Sequence, residues 1–180
     1  MSEPLRLFTE HFPIGGRVGQ TTIATLKAVL PFERRQKARQ RTRTTAGEDI
    51  GVQLQRGTIL RGGDLLRAAD GTLLEVVAAH EPVSTVFSRS LRPLARVAYH
   101  LGNRHVPLQI GAGWVRYLAD HVLDAMVTQL GLNVVHDDEP FEPEAGAYGS
   151  HSHSRGHADP GHARGSIAFG DLHAVHGHEP

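Results

Sequence analysis

Thirteen histidines and no cysteine in 180 residues set the chemistry open to this chain. Neutral imidazole suits nickel(II), copper(II) and zinc(II). Without thiols there are no disulfides, thiolate zinc sites, iron–sulfur clusters or thiol nucleophiles. The histidines fall into two groups. His11, His80, His100, His105, His121 and His136 are spread through the chain, and His151, His153, His157, His162, His173, His176 and His178 crowd its last thirty residues. The spacing in the second group is too irregular for a purification tag, and His-rich tracts of this kind suggest metal binding.

In the first group, Ala98-Tyr99-His100-Leu101-Gly102-Asn103-Arg104-His105-Val106-Pro107-Leu108-Gln109-Ile110 is the most informative stretch. It sets one imidazole in the last turn of a predicted helix. It sets another just past the Gly102 stop, where a helix–strand junction holds a side chain rigidly and within reach. Each histidine also has a role without metal. His105 can cap a loop, and His100 can satisfy carbonyls at a helix C-terminus, where cations are favoured. His121, in the first turn of a second helix, reads as a surface residue. His80 and His136 read as structural or exposed strand-end residues, and His11 carries no signal.

Other chemistries find little support. No phosphate-binding glycine loop of Walker type is present, and no H-E-x-x-H. A metal-dependent hydrolase needs a closed three-ligand site with a carboxylate base, which ligands gathered at one terminus do not provide. Nineteen basic and nineteen acidic residues give zero formal net charge, against a dedicated nucleic-acid binder. The start, MSEPLRLFTEHFPIGG, has no apolar run of signal-peptide length, and no segment reaches the roughly 18 apolar residues of a membrane helix. The expectation is a soluble cytoplasmic protein.

The elements that must position these histidines read as α+β. Residues 1–74 are β-rich: Thr21–Leu26 is β-prone, Ile50–Gln55 alternates, and Leu65–Ala69 and Thr72–Val77 flank an Asp70-Gly71 hairpin turn. Lys37, Arg39, Arg41 and Arg43 recur at every second position, which on a strand makes one basic face. Such a face either guards a sheet edge or meets a phosphate or acidic partner. Residues 75–149 predict a ferredoxin-like βαββαβ module. It runs as a strand over Leu74–Ala79, a Ser90-capped helix to Leu101, strands over Val106–Ile110 and Trp114–Leu118, an Asp120-capped helix stopped at Gly131, and a strand over Asn133–His136. The first helix is expected to bury Leu91, Leu94, Ala95, Ala98 and Leu101. Residues 150–180 lack the large apolar groups to offset their ordering entropy and read as a disordered His-rich tail.

The stretch Tyr99-His100-Leu101-Gly102-Asn103-Arg104-His105 followed by an apolar strand resembles the hallmark of UreE-type urease accessory proteins. Glu33–Arg39, Arg56–Asp64, Pro140–Tyr148 and the His-rich terminus resemble segments of the same family. The resemblance implies a nickel metallochaperone rather than an enzyme: an N-terminal domain likened to a chaperone peptide-binding domain, and a ferredoxin-like domain that binds metal and forms a homodimer. It implies that His105 lies at the dimer axis, where both subunits share one metal, and that His100 and His121 match further sites. Some relatives carry a second histidine two places before His121, where this chain has Ala119, so a peripheral site on that pair is not expected. Tail residues such as His151, His153 and His157 complete the ligand set. The cargo is nickel(II), with zinc(II) or copper(II) able to substitute. The implied partners are the urease GTPase accessory protein and the apo-urease maturation complex. The competing function is passive His-rich storage of divalent metal, which needs only the tail.

Overall fold

The computed structural model describes residues 5–15 and 26–145. Two sheets are built in sequence along the chain. The first has six strands, in chain order β1 (Arg6–Phe12), β2 (Leu26–Leu30), β3 (Arg39–Arg43), β4 (Asp49–Gln53), β5 (Leu65–Ala68) and β6 (Leu73–Ala78). Their spatial order is β2-β6-β5-β1-β4-β3. β1 runs parallel to β4 and β2 parallel to β6, with antiparallel hairpins between. Alternation puts Phe8, Ala28, Leu30, Ile50, Val52, Leu66, Ala68, Leu74 and Val76 into one core with Leu54 and Leu60. The Asp70-Gly71 turn forms as expected, with Gly71 at φ 84°.

The second sheet is a βαββαβ unit. It comprises β7 (His80–Phe87), α2 (Leu91–Gly102), β8 (Gln109–Gly111), β9 (Trp114–Leu118), α3 (His121–Gln129) and β10 (Val134–Pro140), with spatial order β10-β7-β9-β8. Both helices contribute to one core with Val86, Val115 and Tyr117 of the sheet: Leu94, Val97 and Leu101 from α2 and Val127 from α3. A short helix α1 (Phe32–Arg35) follows β2. Phe32 joins Val83 and Phe141 in a third cluster, so apolar packing spans the two modules.

Several expectations shift. The strand at Leu74–Ala79, expected to open the second module, is β6 of the first sheet, paired with β2 and β5. The change of sheet therefore falls at Ala79 rather than between residues 74 and 75. The strand that does open the second unit is β7, whose polar and proline-bearing start, His80-Glu81-Pro82, masks it in the sequence. The buried stripe of α2 is Leu94, Val97 and Leu101; Leu91 is 79% exposed. Ser90 sits at the N-cap of α2 without a side-chain capping bond. Asp120 does cap α3, accepting from Val122 N and Leu123 N. Gly102 is still helical and does not stop α2. Lys37 precedes β3 and pairs with Glu33 at 2.5 Å instead of joining the basic row. Beside that row, the Arg34 guanidinium donates to the Arg41 carbonyl and to Gln40 Oε1. Arg43 pairs with Asp49 at 2.9 Å. β3 ends the sheet, so this arrangement is that of a guarded edge. Of the predicted strand Thr21–Leu26, only Leu26 lies among the described residues.

Candidate metal centre

The end of α2 is an unusual helix stop. The His105 N–H donates to Gly102 O at 2.9 Å and the Val106 N–H to Leu101 O at 3.3 Å. These are the two bonds of a Schellman motif, with His105 at the position that must turn left-handed. Its φ is +57°, and it is the one non-glycine residue with positive φ among the described residues. α3 ends with the same pair of bonds, Gly131 N to Thr128 O and Leu132 N to Val127 O, but there the left-handed residue is glycine, at φ 87°. Glycine takes this conformation freely, whereas an L-residue is strained by roughly 1–2 kcal/mol. Strain held at a non-glycine residue is a common mark of a functional position. Here the strained residue carries an exposed imidazole.

The far end of the loop is also fixed. Leu108 O accepts from Glu144 N at 2.7 Å, and Gln109 Oε1 accepts from Glu142 N at 3.0 Å. Beside the loop, the rings of Tyr99 and His100 meet edge to face at 5.3 Å. The Arg104 guanidinium satisfies His100 O at 3.0 Å. That bond gives the helix-terminal carbonyl an arginine partner, so His100 is not needed to satisfy it. His100 is half-buried, and His121 is exposed in the first turn of α3.

No group of three or more histidines and carboxylates is arranged to hold a metal among the described residues. His105, His100 and His121 are thus not gathered into one closed site within a single described chain. His151, His153 and His157 lie outside the described residues.

Two constellations carried no signal of their own in the sequence. In the first, Asp124 of α3 accepts from Tyr117 OH at 2.8 Å and bonds His136 Nε2 at 2.8 Å. Burial opposes ionisation of Asp124, but the bonds from His136 and Tyr117 outweigh it and hold the carboxyl below its ordinary range. Burial, reinforced by the Asp124 charge, pushes the Tyr117 phenol up. Tyr117 and His136 lie 7 and 12 positions from Asp124 on two other elements, a separation that spacing rules do not reach. The second constellation is an ionic junction of Arg35, Arg61 and Glu142 between the two modules.

Residues 14–79 match the model of the UreE urease accessory protein N-terminal domain, and residues 81–179 match that of its C-terminal domain. A urease accessory protein UreE of Alkalilimnicola ehrlichii is 57% identical over 133 residues, covering 74% of this chain and 82% of that protein. The one from Alcanivorax borkumensis is 54% identical over 138 residues, covering 72% and 78%. The one from Nitrosospira multiformis is 41% identical over 153 residues, covering 84% and 87%. The architecture is the two-domain one of urease accessory proteins, a β-rich N-terminal region followed by an α+β domain. The chain belongs to the UreE family of urease accessory proteins.

Proposed function

We propose that this protein is a nickel(II) metallochaperone that loads the urease metallocentre, with His105 as its principal ligand. The observation that carries the reading is the left-handed, exposed placement of His105 at the end of α2, where glycine would be less strained. A side chain kept at such a cost, between two anchored ends of a loop, is presented outward for a ligand.

The same placement supports a site shared between two copies. One imidazole is an incomplete coordination sphere, and the described residues of one chain do not close it. Two copies of His105 brought together in a homodimer supply two ligands. The homodimer is supported by exposed large apolar side chains on the second module: Leu91 79% and Tyr99 64% on α2, and Ile110 52% on β8. Tail histidines, His151, His153 and His157 foremost, fill the remaining positions. His100 and His121 act as secondary ligands. Ligands that leave one at a time permit stepwise exchange to a recipient. The recipients in this reading are the urease GTPase accessory protein and the apo-urease complex, in the cytoplasm, with no catalysis by the chain itself. Zinc(II) and copper(II) accept the same ligands and can substitute. We assign the second unit to the ferredoxin-like class on its element and strand order. Residues 1 to about 79, about 80–149 and 150–180 are taken as its three parts.

A nickel titration of the intact protein, with oligomeric state followed in parallel, tests this. One tight nickel per two chains, lost in His105→Ala while the dimer persists, is the expected result. Passive storage by the tail predicts instead that cutting after Gly149 removes all tight binding. Unchanged tight binding in His105→Ala would refute the reading.

A further inference from the structure

Four separated stretches of the sequence meet at one place. Arg35, at the end of α1, is fully buried and donates to Leu30 O, Leu60 O and Phe141 O. Its guanidinium pairs with Glu142 Oε1 at 2.9 Å. The same carboxylate accepts from Gly62 N at 2.7 Å and pairs with Arg61 at 3.1 Å through Oε2. Arg61 donates onward to Pro143 O at 2.6 Å. The strap Phe141–Glu144 thus leaves β10, locks into the first module, and returns to the second through Glu142 N on Gln109 and Glu144 N on Leu108. Gln109 and Leu108 are the outer anchor of the His105 loop.

We infer that Glu142 is a positioning residue for the His105 metal site: its carboxylate, held by Arg35 and Arg61 of the first module, fixes the strap that pins the Leu108–Gln109 end of the loop. The inference rests on the metallochaperone reading and extends it, since it makes the first module a determinant of metal affinity. The loop has two ends. The α2 end is set by the Schellman bonds, which belong to the second module alone. The β8 end is set by the strap, whose own position depends on charges from the first module. Burial sharpens that dependence. Arg35 has no exposed surface and Glu142 is about a quarter exposed, so removal of the carboxylate leaves a buried cation short of its counter-charge. The guanidinium must then relax, and the strap with it. A ligand that must meet its copy across a dimer tolerates little displacement; an error near 1 Å loosens a site. Glu142 itself ligates no metal in this scheme, because both its oxygens are already engaged.

The test uses the full-length chain and two metals. Nickel affinity is measured by calorimetry for wild type, Glu142→Gln, Arg61→Gln and His105→Ala, each shown folded and dimeric. Copper(II) bound to the same proteins gives an electron paramagnetic resonance signature of the imidazole geometry. The expected result for Glu142→Gln is a tight site of unchanged stoichiometry, weakened about tenfold, with a shifted copper spectrum. Arg61→Gln, which leaves the buried Arg35 pair intact, gives the same shift to a smaller degree and decides the matter should Glu142→Gln not fold. A merely structural role would lower the melting temperature without moving the spectrum of the folded fraction. Wild-type affinity and spectrum in the folded variants, with binding still lost in His105→Ala, overturn this inference alone. Tight binding retained in His105→Ala overturns both it and the reading beneath it.

Discussion

At the scale of one residue, the two helix ends of the second module make an internal comparison. α2 and α3 close with the same bond pattern, one on His105 and one on Gly131. If His105 is kept for its imidazole, stability is being given up for function, and the two are separable. His105→Gly is expected to stabilise the metal-free protein by about 0.5–1 kcal/mol, because relief of left-handed strain exceeds the added entropy of the unfolded chain. At roughly 2–4 °C per kcal/mol for a chain of this size, the melting temperature rises by about 1–4 °C. Nickel binding at the tight site is lost in the same variant. His105→Ala loses the metal without the gain, since alanine keeps the strain. Gly131→Ala, the mirror experiment, costs about 1 kcal/mol. Calorimetric melting of the three metal-free variants checks the series, and a destabilised His105→Gly would contradict it.

Elements differ in how far the sequence discloses them. α3 was legible at both ends, since Asp120 is a capping residue and Gly131 a stop, and local rules govern both. α2 was legible in extent but not in its stop. Gly102 has the residue type of a stop, yet the chain stays helical through it and turns three residues later on a histidine, a choice that propensity disfavours. β7 was missed because its polar start hides Val83-Ser84-Thr85-Val86, a run with three β-branched residues that a central strand buries on both faces. The exposed placement of His105 at the helix–strand junction was therefore readable from spacing. The Arg35–Glu142 junction was not, because it joins residues about a hundred positions apart. Asp124 fastens α3 to β9 and β10 through Tyr117 and His136, and it was not readable either, because three elements must be packed before the contacts exist. Its depressed pKa fixes the sign of a pH effect. The stability it contributes is present above the unfolded-state value of about 4 and is lost as pH falls through the lower folded value. Asp124→Asn should cost about 1–3 kcal/mol near neutrality, with part of the wild type's acid sensitivity below pH 4 removed. Urea unfolding of both proteins across pH checks this; parallel acid limbs would count against the assignment.

For the molecule as a whole, the strap also sets where the chain goes next. The Glu144 N–H bond to Leu108 O holds the chain three residues from His105 just before the His-rich terminus begins. From Glu144 to His151 is seven residues, a reach of at most about 24 Å. Ligands tethered at such a distance meet the site at an effective concentration far above that of free imidazole, with no contact required beyond the bond to metal. If tail histidines complete the shared sphere, affinity should depend on the tether and not only on the number of histidines. Three dimeric variants separate these effects. Cutting after Gly149 should lower the count of bound metals to one per two chains and weaken that one about tenfold or more. Replacing His151, His153 and His157 together by serine should weaken the tight metal similarly while leaving some weaker sites on the later histidines. Inserting a long Gly-Ser spacer after Gly149 should weaken the tight site only slightly, because the cost of closing a loop grows slowly with its length. Nickel calorimetry on all three decides between them. A truncated dimer that keeps the full metal count, or a serine variant with wild-type affinity, would mean that His105 finds its co-ligands elsewhere in the folded chain.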